Sequence, residues 1–595
     1  MAAERLPGAL SPALNETRPS LWIRLNHDLL ISNATLNNFR AGYTREPQRW
    51  SRIASGNGHL QASGLKGTNP PGDILPRTSF GDGLSNWGDE SKNIGEQVNN
   101  ILQVANTLSR VRGNHSFKFG VDVRWMQTNG ADPFNQQSSM VFNSNETALP
   151  TAAGRASSGY SFASFLLGQV DNANYNGLFV VPGNRYRYFA TFFQDDWKIT
   201  RKLTLNYGLR YDIYFPRIEA HGNFSGFDPA VANPGAGNLP GAVVFLGDGP
   251  GRDNSRKSFA DTYYKNFGPR FGFAYHMTAR TVLRGGYGLF YGTGNATAGL
   301  RSSQQYLFGF NAAPSYATPD VGATPAFNWD GGFPTNWPRP PFINPTVQNG
   351  SNVNYIGRGD GRPPYFQNYQ ISIQQELAAR IMVEGSYVGV KGTHLGNNLM
   401  TWNQVDPKYL SLGATLTQNI SSAAAIAAGI QRPYPAFNGS VAQALRSYPQ
   451  FLNVSNNANP SGSSTYHAFQ LKFDKRLSGG LALLGSYTWA KTISDGDIAA
   501  GGGPGGQDFY NRRLEKAIST NDVPQVVAVS YTYELPFGPG KKFLDQKGAV
   551  GYVVGGWQFT GIQQYQSGRP VTFTANNTLP LFNSVLRPDA IGGAE

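Results

Sequence analysis

The residues best suited to chemistry in this chain are few and far apart. Its histidines are His27, His59, His115, His221, His276, His394 and His467, and no His-Glu-x-x-His pair occurs. Isolated histidines scattered like this are far more often structural or solvated than metal ligands or bases. No glycine-rich loop leads into Gly-Lys-Ser/Thr, so the backbone cradle for nucleotide phosphates is absent. Gly501-Gly502-Gly503-Pro504-Gly505-Gly506 reads as a flexible loop. Asp495-Gly496-Asp497 lacks the regular oxygen-ligand spacing and closing Glu of a calcium loop. Arg358-Gly359-Asp360 spells an integrin-binding tripeptide, which in a glycine-rich stretch is a chance match by default. No catalytic, cofactor-binding or metal-ligating residue is assigned, no ligand-binding residue can be singled out, and the expectation is a protein that is not an enzyme.

Composition points to where the surface goes instead. The 595 residues include 71 Gly, 29 Tyr and 37 Phe; aromatic residues make up 13% and charged residues only 15%. An ordinary soluble protein carries roughly 25% charge, so this chain has to hide much of its surface in a core, an assembly or lipid. Mean hydropathy is nonetheless −0.37, too polar for a bundle of membrane helices. No run approaches the ~20 apolar residues that a spanning helix needs. The Ala-rich stretch at 422–430 is too short, and 411–430 reads as a packing element with a short helix inside a loop. There is no cysteine, which excludes disulfides and Cys-based zinc sites. The net charge of +13 is spread along the chain without a basic run, so nucleic acid is not an expected partner.

Period-2 alternation is the strongest signal. Phe117, Phe119, Val121, Val123 and Trp125 share one face of segment 116–125, against Ser116, Lys118, Gly120, Asp122 and Arg124. In 202–215, Leu203, Leu205, Tyr207, Leu209, Tyr211, Ile213 and Phe215 oppose Lys202, Thr204, Asn206, Gly208, Arg210 and Asp212. Successive strand side chains point to opposite faces, so each segment has one greasy side and one wet side. The strands come in pairs: 21–27 with 34–45, 100–111 with 115–126, 186–198 with 202–215, 266–276 with 281–291, 367–377 with 381–391, 466–475 with 480–491, and 525–535 with 555–566. Partners are mostly joined by a few residues, such as Arg112-Gly113-Asn114. Between pairs lie long Gly/Asn/Pro/Ser-rich stretches at 46–98, 128–183, 217–264, 293–364 and 393–463. Loops longer than about 15 residues are rare in compact domains. Their recurrence after every second strand is the asymmetry of an outer-membrane barrel, with short periplasmic turns and long extracellular loops.

The expected fold is therefore all-β: a transmembrane antiparallel β-barrel, partial, of about 14 strands or more. Phe117, Phe119, Leu205, Leu209 and Tyr211 should face lipid. Lys118, Asp122, Arg124, Asn206, Arg210, Asp212, Arg284, Gln470, Lys472 and Asp474 should face the lumen, because Arg or Lys facing mid-membrane costs about 2–4 kcal/mol. Tyr186, Tyr188, Trp197, Tyr287, Tyr291, Tyr487 and Trp489 are expected in the interfacial aromatic girdles.

These segments resemble the barrel of TonB-dependent receptors, more narrowly the Oar-like group common in acidobacterial genomes. Phe192-Phe193-Gln194-Asp195-Asp196-Trp197-Lys198, then Leu203-Thr204-Leu205-Asn206 and Gly208-Leu209-Arg210-Tyr211, carry the likeness. His115-Ser116-Phe117-Lys118-Phe119-Gly120, Arg270-Phe271-Gly272-Phe273-Ala274-Tyr275 and Arg284-Gly285-Gly286-Tyr287-Gly288 extend it. Tyr387-Val388-Gly389 with Gly392, Ser486-Tyr487-Thr488-Trp489-Ala490-Lys491, Glu534-Leu535-Pro536-Phe537-Gly538 and Ser567-Gly568-Arg569-Pro570 complete the series. The resemblance implies a 22-stranded barrel around an N-terminal plug, energised through a TonB box, with a small carboxypeptidase-regulatory-like domain before the plug. The start, Met-Ala-Ala-Glu-Arg-Leu-Pro, has no apolar signal core, and no plug or regulatory-like domain is visible. The last residues, Ile591-Gly592-Gly593-Ala594-Glu595, read as loop. Residues 1–595 are thus expected to be one barrel domain truncated at both ends.

The functional expectation is uptake of an unidentified ligand across the outer membrane of a Gram-negative cell, without a cofactor. Expected partners are outer-membrane lipid and lipopolysaccharide, that ligand, and the TonB complex through N-terminal parts not seen in this sequence. Two alternatives stand beside it: an adhesion or structural protein on the same barrel, and a soluble all-β binding protein.

Overall fold

In the computed structural model the fourteen expected strand positions are all present, and they follow one another around a single antiparallel sheet. The structure describes residue 10 and residues 14–588, except 53–55, 69–74, 88–94, 131–137, 176–179, 294–305, 397–401, 457–458, 497–505, 579 and 583–585. The strands are β1 (Leu21–Ser32), β2 (Thr35–Arg52), β3 (Gly95–Arg112), β4 (His115–Gly130), β5 (Gly183–Lys198), β6 (Leu203–Glu219) and β7 (Phe267–His276). They continue as β8 (Thr281–Tyr291), β9 (Tyr365–Glu376), β10 (Ile381–Leu395), β11 (Gly462–Ser478), β12 (Leu481–Ser494), β13 (Gln525–Glu534) and β14 (Gln558–Gln566). Two short segments extend this pattern: Leu14–Thr17 pairs with β2 beyond β1, and Ala517–Ile518 pairs with β12 beyond β13. Even the shortest strand, nine residues in β14, has about the length a tilted strand needs to cross a bilayer. Among the described residues β14 and β1 do not pair, so the sheet keeps two free edges.

One rim holds the tight turns. Gly113-Asn114 joins β3 to β4, and Gly113 takes a left-handed φ of 58° that glycine adopts without steric cost. Gly479-Gly480 joins β11 to β12 in the same way, with φ of 59° and 78°. Only the last pair departs from this economy, since residues 535–557 between β13 and β14 include a short helix, Ala549–Val554. The other long connections emerge at the opposite rim.

Cross-strand register sorts the side chains. Residues directly opposite in an antiparallel pair share a face. Phe119 stands opposite Phe193, Phe193 opposite Leu209, and Tyr207 opposite Phe271. This face carries most of the large apolar side chains left exposed on the strands: Phe119 is 47% exposed, Leu209 45% and Phe271 48%. A two-sheet sandwich would bury them. No helix is long and apolar enough to cross a membrane among the described residues.

The long connections are not shapeless. Phe224–Asn233 and Leu239–Leu246 form a hairpin within the β6–β7 connection. Four strands from three connections build a second sheet, in the order Ser315–Ala317, Asn172–Asn174, Ser139–Phe142, Arg77–Phe80. Around it Leu65, Phe80, Met140, Phe142, Val170 and Phe333 form a buried core. A second core gathers Phe227, Phe245, Phe310, Val353 and Phe451 from the β6–β7, β8–β9 and β10–β11 connections. The Ala-rich stretch does hold a short helix, Ala423–Ala427, capped by Ser422 and packed in a third core with Leu416 and Val441. Together these connections make a packed canopy over the rim.

Candidate functional site

The polar face of the sheet begins as a row of single residues and becomes a network. On β3 and β4, Gln103 donates to Asp122 at 3.0 Å and Arg124 grips both oxygens of the same carboxylate at 3.2 and 2.6 Å. The Arg124 guanidinium lies 5.0 Å from the centre of the Tyr188 ring on β5. Tyr188 donates to Asp212 on β6 at 2.6 Å, while Arg210 donates to Tyr188 at 2.7 Å and to Asp212 at 3.0 Å. The Tyr214 ring lies against Tyr188, 4.9 Å between centres and tilted by 42°. Further along, Arg270 covers Phe290 at 4.7 Å and Arg284 donates to Gln374 at 2.8 Å. Alternation explains the whole row: every second residue of each strand must avoid the apolar face, and register sets those residues side by side. Two aspartates are thus neutralised by flanking arginines, which leaves Arg270 and Arg284 as cations with neutral partners.

Lys118, Asp122, Arg124, Asn206, Arg210, Asp212, Arg284, Gln470, Lys472 and Asp474 all fall on this polar face by register. The structure joins Asp122 with Arg124 and Arg210 with Asp212. It keeps Gln470, Lys472 and Asp474 apart from them on β11, opposite Ser386, Glu384 and Met382 of β10. Phe117, Phe119, Leu205, Leu209 and Tyr211 lie on the apolar face, as expected. Of the girdle aromatics, Trp197, Tyr287, Tyr291, Tyr487 and Trp489 lie there too. Tyr186 and Tyr188 do not: both sit on the polar face, only 4% and 6% exposed. The reason is that β5 carries aromatics on both faces, so alternation alone does not choose between them. Gln103, Tyr188 and Arg270 also belong to the row, and the sequence did not mark them, because only cross-strand register shows that they share a face with Asp122 and Asp212.

The canopy holds a second set of polar groups. Burial, and then the neighbouring Asp171, push the Glu146 carboxyl up to about 8. Burial also raises Asp360, which accepts from the Gly357 backbone and from Asn456. Asp360 is therefore turned inward, which removes the Arg358-Gly359-Asp360 tripeptide from the surface as a recognition motif. Asp495 accepts from the backbone and hydroxyl of Ser463 and pairs with Arg512 at 3.5 Å. Asp497 and Gly501–Gly505 lie outside the described residues, as do residues 591–595. No group of three potential metal ligands occurs among the described residues.

A strand-paired sheet with one greasy face, one charged face, tight turns at one rim and long connections at the other invites comparison with membrane barrels. The family model described as "Outer membrane beta barrel domain" matches residues 5–595. The chain belongs to this family. Its apolar face is accordingly the lipid face, its polar face the lumenal one, and its place is the outer membrane. No curated protein matches the chain. Among solved structures it is similar to the outer membrane transporter YddB from Escherichia coli, at 11% identity and a TM-score of 0.49, covering 95% of this chain and 53% of that one. It is also similar to FpvA of P. aeruginosa in complex with a heterologous pyoverdine and iron (11%, TM-score 0.36, 97% and 57%) and to the FrpB iron transporter from Neisseria meningitidis (10%, TM-score 0.37, 87% and 48%). The chain spans about half the length of these structures.

Proposed function

We propose that this chain is the wall and canopy of an outer-membrane transporter of the TonB-dependent type, which captures a ligand at the canopy and passes it along the charged lumenal face. The observation that carries this reading is the polar row from Gln103 to Arg210 across four neighbouring strands, two hydrogen-bonded groups bridged by the Arg124 guanidinium over the Tyr188 ring. An inert wall has no need of so many charges. A transported solute shedding its water does, because fixed donors and acceptors replace hydration along its path. The ordered motifs from His115 to Pro570 support the TonB-dependent type and the Oar-like group. The folded canopy suits ligand capture, since a pre-ordered surface binds at a lower entropic cost than a floppy one. Coupling to TonB would run through a plug inside the lumen, and domains beyond the barrel belong to this proposal.

Growth profiling tests it. Deletion of the complete reading frame should abolish growth on one nutrient source, and deletion of the TonB gene should reproduce that defect. An adhesion or structural protein would instead give full growth on every source together with lost surface attachment.

A further inference from the structure

The lipid face is not uniformly greasy. At the tight-turn rim, register sets Arg112 opposite His115 and Arg110 opposite Phe117. The same alignment continues with His115 opposite Trp197 and Phe117 opposite Asp195, then Asp195 opposite Tyr207. All seven side chains therefore share the outward face. The His115 ring stacks on Phe117, 5.3 Å between centres and 5° from parallel, and on Trp197, 5.0 Å and 15°. Its Nδ1 lies 2.7 Å from the Asp195 carboxylate, to which Tyr207 also donates at 2.8 Å. Asp195 is 0% exposed. Its negative charge is walled off behind the aromatic stack, whereas Arg110 and Arg112 are exposed beside it. The next turn along the rim adds exposed Lys198, Arg201 and Lys202. Asp196, the other acid of this strand, points to the lumenal face and accepts from Gln194 and Asn206.

We infer that this outward patch, Arg110 and Arg112 beside the His115–Trp197 stack, binds the headgroup phosphate of an anionic phospholipid in the inner leaflet. The inference rests on the membrane-spanning reading and adds a lipid partner to it. The occupant follows from position and charge. Tight turns of outer-membrane barrels face the periplasm, so the rim meets the inner, phospholipid leaflet. Arginine forks match phosphate oxygens bidentately. A flat aromatic stack at headgroup depth suits the glycerol and first acyl carbons. Two exposed arginines with the acid enclosed favour a net-negative headgroup over a zwitterionic one.

The test uses the full chain extracted from outer membranes in mild detergent and mixed with phosphatidylglycerol or phosphatidylcholine, with bound lipid counted by native mass spectrometry. The wild type should retain phosphatidylglycerol in preference to phosphatidylcholine. The double variant Arg110→Gln/Arg112→Gln should lose that preference, with retention falling on the order of tenfold to thirtyfold. Arg24→Gln, which removes a charge from the lumenal face of β1, should retain it. Equal retention of both lipids by the wild type, or an undiminished preference in the double variant, overturns the inference. So does displacement of the lipid by millimolar inorganic phosphate, which would mark a general anion patch. Failure of the membrane reading itself would look different: the wild type would be missing from the outer-membrane fraction before any lipid was counted.

Discussion

Tyr188 on β5 and Asp212 on β6 are joined by a 2.6 Å hydrogen bond across the lumenal face, two positions apart in register. The bond ties a phenol to a carboxylate that is 3% exposed, and Arg210 closes the triangle with both. A buried acceptor that loses a donor keeps its desolvation cost, so the bond matters more when broken than when counted.

Tyr188→Phe should therefore destabilise the barrel by about 1–3 kcal/mol, read by urea unfolding from lipid vesicles. Combined with Asp212→Asn, the loss should fall short of the sum by roughly 0.5 kcal/mol or more. Strict additivity would mean that the two residues do not act together.

Leu209→Arg places a cation on the lipid face and should cost about 2–4 kcal/mol if the site lies near the bilayer midplane. On a soluble protein the same exposed position would tolerate the change within about 0.5 kcal/mol. Folding yield into vesicles separates these outcomes.

Gly67 has a φ of 76°, and a Cβ added there would meet the Phe333 carbonyl oxygen at 2.1 Å. Gly67→Val should thus open the canopy while leaving the wall intact. Limited proteolysis should cut within the long connections at a raised rate, and heat-modifiable migration on gels should persist. Loss of that migration would show that canopy and wall unfold as one unit.

Glu146 gives the canopy a pH dependence with a defined sign. Burial and Asp171 raise its carboxyl to about 8, against an ordinary value of 4.5. Between those values the unfolded segment has released the proton and the folded one still holds it, so stability falls as pH rises through this window. Above about 8 both forms are ionised and the fall stops. Protease sensitivity of segment 138–175 should rise from pH 5 to pH 8 in the wild type and stay flat in Glu146→Gln.

The wall was far more legible in the sequence than the canopy. Strand β8 is found at 281–291, the bounds that alternation suggests, and the other strands differ at their ends, most at β2, expected at 34–45 and found at Thr35–Arg52. One face meets lipid and the other water, so nearly every second residue reports its side. The canopy has no such solvent asymmetry. Phe227 and Phe245 are buried on a short hairpin and Phe310 in a turn, all in stretches rich in Gly, Asn and Pro, where no long alternation marks them as core. The lumenal charges were legible one by one. Their pairing was not, because the bond between Tyr188 and Asp212 depends on register, which a single strand's pattern does not contain.

The weave of the canopy makes it a late arrival in assembly. Arg77–Phe80 meets Ser139–Phe142 only across the β3–β4 hairpin, and Asn172–Asn174 meets Ser315–Ala317 only across β5 to β8. Contacts so distant along the chain form slowly, after the intervening strands have closed the distance. A slip of one residue in any of those strands would turn its greasy side inward and leave the canopy segments misaligned. The outer surface thus works as a proofreading mark: a cell that displays it has already threaded the six strands from β3 to β8 in their proper order.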